Sequence, residues 1–298
     1  MTLYIPLPGN TAMASELARL TGGELGTLAV RRFPDEETYV RIETDVRGKH
    51  VDLVCTLARP DPQLTGLLFA AATARELGAE SVGLIAPYLA YMRQDRRFSE
   101  GESVSARHFA RMLSSVFDRL VTVDPHLHRI HDLGEIFPIA TRVVHAAPAL
   151  ADWIWQNVEN PLVIGPDSES EQWVSDVASR AGAPYLVLSK TRHGDRDVEI
   201  AAPGLADWAG RQPVLIDDIV SSGRTMIEAA RHFQSAGFPK PVCVVVHAIF
   251  ADQSYASLQT VASRIVSTNS VRHPSAEISI APLLVETGKA NTGAFGSH

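Results

Sequence analysis

At 298 residues, with 45% hydrophobic and 20% charged side chains, the chain has an ordinary globular composition and enough length for two domains. No apolar stretch approaches the roughly 18 residues of a membrane span, and "MTLYIPLPGN" lacks a basic stretch before a long apolar core; neither a transmembrane helix nor a signal peptide is expected, and the cytoplasm is the expected location. A formal charge of −7 argues against a general nucleic-acid binder, and Cys55 and Cys243 lie in apolar runs at no metal-binding spacing, which predicts reduced, buried thiols.

Taken in chain order, "HVDLVCTL", "SVGLIAPYLAY" and "RLVTVDPH" read as strands, followed by "PLVIGPD", "YLVLSK", "PVLIDDIV" and "PVCVVVHAIF". Between them "DPQLTGLLFAAATARELGAE", "SVSARHFARMLSSVF", "ESEQWVSDVASRAGA" and "SGRTMIEAARHFQSAGF" carry apolar residues at helical spacing. Strands apolar on both faces and alternating with helices predict an α/β protein with mainly parallel sheets flanked by helices. The series runs twice, which divides the chain into two similar domains, 1–145 and 146–298, with the tail expected to pack back on the first. In such sheets ligands sit beyond the carboxyl ends of the strands. Those ends are polar here: Asp124 and His126, Asp167, Asp217 and Asp218.

The segment "PVLIDDIVSSGRTM", residues 213–226, passes from a buried strand through two acids and small hydroxylated residues into a helix. The backbone amides and dipole of that helix start suit phosphate oxygens, and Gly223 permits close approach. Carboxylates repel phosphate, so Asp217 and Asp218 are expected to accept hydrogen bonds from sugar hydroxyls or to hold Mg²⁺. A simple helix cap is the plain alternative.

Arg93, Arg96 and Arg97 form a cationic loop suited to a polyphosphate, against the alternative of a solvated basic loop. Lys190 and Arg192, two apart on a predicted strand, share a face and can reach one polyphosphate, unless they decorate a solvated hairpin edge. His126, at a strand end beside carboxylates, suits a divalent metal. His128 and His131 do not share a face with it, and no cysteine or HExxH pattern accompanies them, so zinc is not expected.

The 213–226 segment resembles the phosphoribosyl-pyrophosphate binding loop shared by type I phosphoribosyltransferases and phosphoribosyl-pyrophosphate synthetases. The resemblance implies phosphoribosyltransferase-like domains, with the ribose hydroxyls on Asp217 and Asp218. It places the 5-phosphate on Ser221, Ser222, Gly223, Arg224 and Thr225. Within "APYLAYMRQDRRFSEGESVSARHFARML", the Pro-Tyr, Tyr-x-Arg-Gln-Asp-Arg and Ser-Ala-Arg patterns resemble the synthetases, that is, the ribose-phosphate pyrophosphokinase family.

That resemblance implies ATP-binding roles for Phe33, Asp35 and Glu37 of "RRFPDEETYVRI", otherwise a turn before an alternating strand, and for Arg93, Gln94 and Asp95. "VDPH" and "GPD" resemble the family's metal segments, which implies Mg²⁺, or Mn²⁺ in its place, on His126, Asp167 and Asp124. The family's Lys-x-Arg stabilises the transition state from a mobile loop, a role carried here to Lys190 and Arg192. The implied reaction moves the pyrophosphoryl group of ATP to ribose 5-phosphate, giving phosphoribosyl pyrophosphate and AMP, in a homo-oligomer, a dimer or hexamer.

Two alternatives stand beside it. A phosphoribosyltransferase needs neither "RQDR" nor the Phe33 loop, and a non-catalytic regulatory relative tends to lose the cations and metal ligands. The chain departs from the family in "SESE" after Asp167, which sets Glu169 and Glu171 near an anionic substrate, and in Arg224 just before the final Thr of the phosphate loop. "FSEGESV" is less basic than the family's loop, and "GKANTGAFGSH" lacks the close tied to allosteric nucleotide binding, which implies weak or absent regulation by ADP and phosphate.

Overall fold

The computed structural model describes residues 1–127, 129–166, 170–192, 198–201 and 205–290. The chain divides into two compact units, one of Met1–His145 together with the segment that starts at Ala281, the other of Ala146–Ile280. No helix among the described residues is long and apolar enough to cross a membrane.

The first unit runs β1 (Thr2–Pro6), α1 (Thr11–Thr21), β2 (Glu24–Leu25), β3 (Leu28–Arg32), β4 (Thr38–Ile42), β5 (His50–Val54), α2 (Asp61–Glu76), β6 (Ser81–Ala86), α3 (Ser105–Ser114), β7 (Arg119–Val123) and β8 (Ala140–Val144). Six strands form a parallel sheet in the order β2-β1-β5-β6-β7-β8. β3 and β4 stand apart as an antiparallel hairpin that packs on α2.

The second unit runs α4 (Ala147–Asn157), β9 (Pro161–Gly165), α5 (Glu171–Arg180), β10 (Tyr185–Val187), β11 (Ser189–Arg192), β12 (Val198–Ala201), β13 (Gln212–Val220), α6 (Arg224–Ser235), β14 (Val242–Ala248), α7 (Ser254–Val261), β15 (Arg264–Thr268) and β16 (Ala276–Ile278). Its parallel sheet has the order β10-β9-β13-β14-β15-β16, and β11 with β12 forms a separate antiparallel hairpin. The two units repeat one plan strand for strand, each with a hairpin inserted after its second strand. The final helix, α8 (Ala281–Ala290), returns to the first unit, where it packs on α1 and β8, and its Leu284 carbonyl accepts a hydrogen bond from Arg142 Nη2 at 2.5 Å.

Sequence pattern explains both layers. Every residue of β14, "VCVVVHA", is buried, as a strand covered on both faces requires. The covering helices are one-sided: α3 buries Ala106, Phe109, Ala110 and Leu113, and α6 buries Met226, Ala229, Ala230 and Phe233, each set at spacings of three and four. Burying a side chain the size of Phe233 contributes about 2–3 kcal/mol. One polar row crosses the first sheet, where Asp52 on β5 meets Arg119 on β7 at 2.7 Å, over Gly83 on the intervening β6. A Cβ on Gly83 would lie 2.1 Å from the Asp52 carboxylate, so only glycine leaves room for the pair. Burial pushes the Asp52 carboxyl up against the opposing pull of the Arg119 guanidinium.

In each sheet the chain leaves its first strand for one edge and then crosses to the other side. The order reverses between β1 and β5, and again between β9 and β13. Crevices at such reversals, beyond the carboxyl ends of the strands, are where open α/β sheets take ligands.

Candidate active site

In the second unit, Val214 to Ile216 are buried in the sheet and Asp217 and Asp218 follow half-buried. The strand runs on past them to Val220, as "PVLIDDIV" suggests. β13 pairs with β14 through Asp217, Ile219 and Val220, because the β-branched Ile219 and Val220 extend the apolar pattern past the acids. Strand alternation sets the two carboxylates on opposite faces. Each accepts a backbone N–H from the next residue, Asp217 from Asp218 at 3.0 Å and Asp218 from Ile219 at 2.8 Å.

The loop beyond is held from one side. The Ser221 carbonyl accepts hydrogen bonds from the Ala251 N–H at 3.1 Å and the Ser254 hydroxyl at 2.7 Å. Gly223 then turns the chain into α6 with φ 68°, a left-handed conformation open to glycine at no steric cost. α6 begins without a side-chain cap and without an acid in its first turn. Such a helix start favours an anion. Ser222 and Arg224 are exposed, and Ser221 and Thr225 are half-buried.

Lys190 and Arg192 lie on β11, in register with Ile200 and Val198 of β12. Asp167, Glu169 and His128 lie outside the described residues; Glu171 opens α5 in its first turn, where a carboxylate suits the helix dipole.

The first unit gathers the other predicted residues on three loops. Phe33 and Glu37 close the β3–β4 turn: the Phe33 N–H donates to the Glu37 carbonyl at 2.8 Å and the Glu37 N–H to the Asp35 carboxylate at 3.3 Å. Phe33 is 40% exposed, edge-on to Tyr39 at 6.0 Å, and the Arg31 guanidinium lies 4.7 Å from its ring centre. That packing holds an aromatic surface open to solvent.

On the loop after β6, Arg93 and Gln94 are exposed, whereas Asp95 is buried and its Oδ2 accepts the Arg129 N–H at 3.0 Å. Arg96 lies over the Phe98 ring and Arg97 donates to the Glu102 carbonyl. After β7, Asp124 adopts φ 32° and its Oδ1 lies 2.9 Å from His145 Nδ1, with the half-buried His126 two residues on. Among the described residues no three His, Cys, Asp or Glu side chains form a metal cluster.

Sequence reasoning assigned no role to Tyr91, Asp61, Phe109 and Asn10, which hold loops of the first unit. Tyr91 has φ 66°, its hydroxyl donates to the Asp61 carboxylate at the start of α2, and its ring packs on Phe109 at 4.8 Å. The Asp61 contact pushes the Tyr91 phenol up. Asn10 is buried and ties the loops after β1 and β5 together. Nothing local in the sequence signals these contacts, which join residues far apart in the chain.

Comparison with known proteins matches both units. Residues 4–116 fit the family model of the N-terminal domain of ribose phosphate pyrophosphokinase, and residues 139–275 that of the phosphoribosyl transferase domain. The ribose-phosphate pyrophosphokinase of Methanopyrus kandleri is 35% identical over 280 residues, 92% of this chain and 94% of that one. Its counterpart from Methanothermobacter thermautotrophicus is 30% identical over 96% of this chain and the whole of its own. The crystal structure of phosphoribosylpyrophosphate synthetase from Mycobacterium smegmatis superposes with a TM-score of 0.82 at 24% identity, covering 97% of this chain and 98% of that one, which shows the shared fold.

Proposed function

The chain belongs to the ribose-phosphate pyrophosphokinase family of enzymes, and on that premise we propose how its two units divide the work. The second unit holds ribose 5-phosphate, with the hydroxyls on Asp217 and Asp218 and the phosphate on Ser221 to Thr225. The first unit holds ATP, with adenine against Phe33, Asp35 and Glu37 and the polyphosphate met by Arg93 and Gln94. The observation that carries this reading is the uncapped, acid-free start of α6 directly beyond two half-buried aspartates.

The reaction passes the β,γ-pyrophosphoryl group of ATP to the anomeric hydroxyl of ribose 5-phosphate and releases AMP. Such transfers depend on alignment and on neutralising charge rather than on a covalent enzyme intermediate. Lys190 and Arg192 supply positive charge to the group in flight, and their hairpin excludes water from it. His126, Asp124 and Asp167 would hold Mg²⁺ or Mn²⁺. Their few donors fit an ion that keeps waters and takes substrate phosphate oxygens, since such ions need only one or two protein ligands. When bound, that ion neutralises phosphate charge and lowers the pKa of the attacking hydroxyl.

Incubation with ATP, ribose 5-phosphate and Mg²⁺ is expected to yield AMP and phosphoribosyl pyrophosphate in equal amounts. No AMP above a control without protein, with either Mg²⁺ or Mn²⁺, refutes the reading. We propose further that the enzyme is a cytoplasmic homo-oligomer, a dimer or hexamer, which sedimentation of the purified chain tests.

A further inference from the structure

Asp95 stands inside a basic, solvent-facing stretch, yet its side chain is only 3% exposed while Arg93, Gln94, Arg96 and Arg97 around it are exposed. Its two oxygens both turn to Arg129: Oδ2 accepts the backbone N–H at 3.0 Å and Oδ1 lies 3.7 Å from guanidinium Nη1. Arg129 belongs to the segment that follows β7 and carries Asp124 and His126. Beyond Asp124, whose N–H pairs with the Val144 carbonyl of β8, carboxylates accept several of the segment's backbone N–H groups. Glu135 accepts from His131 and Asp132, Asp132 accepts from Gly134, and Asp95 accepts from Arg129. Ile130, next to Arg129 in the chain, is buried.

The Asp95 loop is itself anchored at its other end. Tyr91 binds Asp61 and packs on Phe109, the Gln94 N–H donates to the Tyr91 carbonyl, and the Ala106 N–H donates to the Gln94 carbonyl. A side chain held this way is a poor ligand for a solvent-borne nucleotide and a good strut. We infer that Asp95 is a positioning residue: it fixes the His126 segment to the Arg93–Gln94 loop through the Arg129 backbone and does not itself touch ATP. The inference rests on the roles proposed above for Arg93, Gln94 and His126.

Three variants of the full chain test it by hydrogen exchange over residues 126–131, Mn²⁺ binding followed from the EPR signal of the free ion, and the KM for ATP. In Asp95→Ala, exchange quickens and Mn²⁺ affinity drops by about tenfold while the KM for ATP stays within about twofold. Asp95→Asn keeps an oxygen that accepts the Arg129 N–H and restores most of both, and Arg129→Ala keeps the N–H and behaves as the unaltered chain. A tenfold rise in the KM for ATP with unchanged exchange and Mn²⁺ binding, or no change in any readout, overturns the inference. Should Asp95→Ala fail to fold, the same tenfold rise in Asp95→Asn, with exchange unchanged, overturns it too. Exchange and Mn²⁺ binding need no turnover, so a chain that makes no AMP refutes the proposed function while the strut is still decided.

Discussion

At the strand reversal of the first unit, the loops after β1 and β5 are laced together by Asn10, whose Nδ2 donates to the Leu7 and Pro8 carbonyls and whose Oδ1 accepts the Thr56 N–H at 2.8 Å. The helix beyond, α2, opens on Pro60, Asp61 and Pro62, so one N–H is missing from its first turn and a carboxylate already answers its dipole. At the same place in the second unit, α6 opens on Gly223, Arg224 and Thr225, uncapped and free of acid. One plan of strands thus carries two opposite electrostatic environments, set by a handful of loop residues. The lesson is that the sheet supplies a position, and the loop chemistry decides whether an anion is received there.

The sharpest way to break this comparison is through the inserted hairpins, since one carries Phe33 and the other Lys190. Lys190→Ala is expected to lower turnover by about a thousandfold, on the scale of other cations that meet a phosphoryl group in flight, with ribose 5-phosphate binding unchanged. Turnover unchanged in a stopped-flow assay would remove the second hairpin from the chemistry. Next in size is Gly223→Val. A β-branched residue at φ 68° costs about 2 kcal/mol, equivalent to about thirtyfold weaker ribose 5-phosphate binding by calorimetry.

The converse substitution in the first unit should spare the substrate and damage the scaffold. Asn10→Ala leaves the part-buried Thr56 N–H without this acceptor and should cost about 1 kcal/mol in denaturant unfolding, with the KM for ribose 5-phosphate unchanged. A raised KM there would mean that the first crevice also receives the sugar. Smallest is an effect in which the units agree. Burial pushes both the Cys55 and the Cys243 thiols up to about 12. At pH 8 both are therefore neutral in the folded protein, and a thiolate-specific reagent should titrate neither until denaturant exposes the pair.

The sequence disclosed the elements whose cause is local. Continuous apolar runs such as "PVCVVVHAIF" can only be strands covered on both faces, and the three-four spacing in "SARHFARML" can only bury one side of a helix. The run of β13 through Asp217 and Asp218 was legible in "PVLIDDIV" although acids are poor strand formers, because Ile219 and Val220 resume the apolar pattern and pair with β14. The β3–β4 hairpin read only as a turn before one strand, since its first strand keeps half-exposed and charged residues on both faces. Of the candidate site, residue types and their loops were legible, but orientation was not. "RQDR" reads as a uniformly solvated stretch, and the inward turn of Asp95 depends on an N–H 34 residues further on.

The path of the last helix bears on how the protein comes into being. Because α8 is the final described element and yet packs on α1 and β8, the first unit to leave the ribosome is the last whose contacts can be completed. During synthesis it must wait, with the α1 and β8 surfaces that α8 covers still bare, until the second unit has been made. A ribosome stalled past residue 280 would therefore leave the older unit unfinished rather than the newer one, and chaperones that guard apolar surface on nascent chains would find their target near the amino terminus.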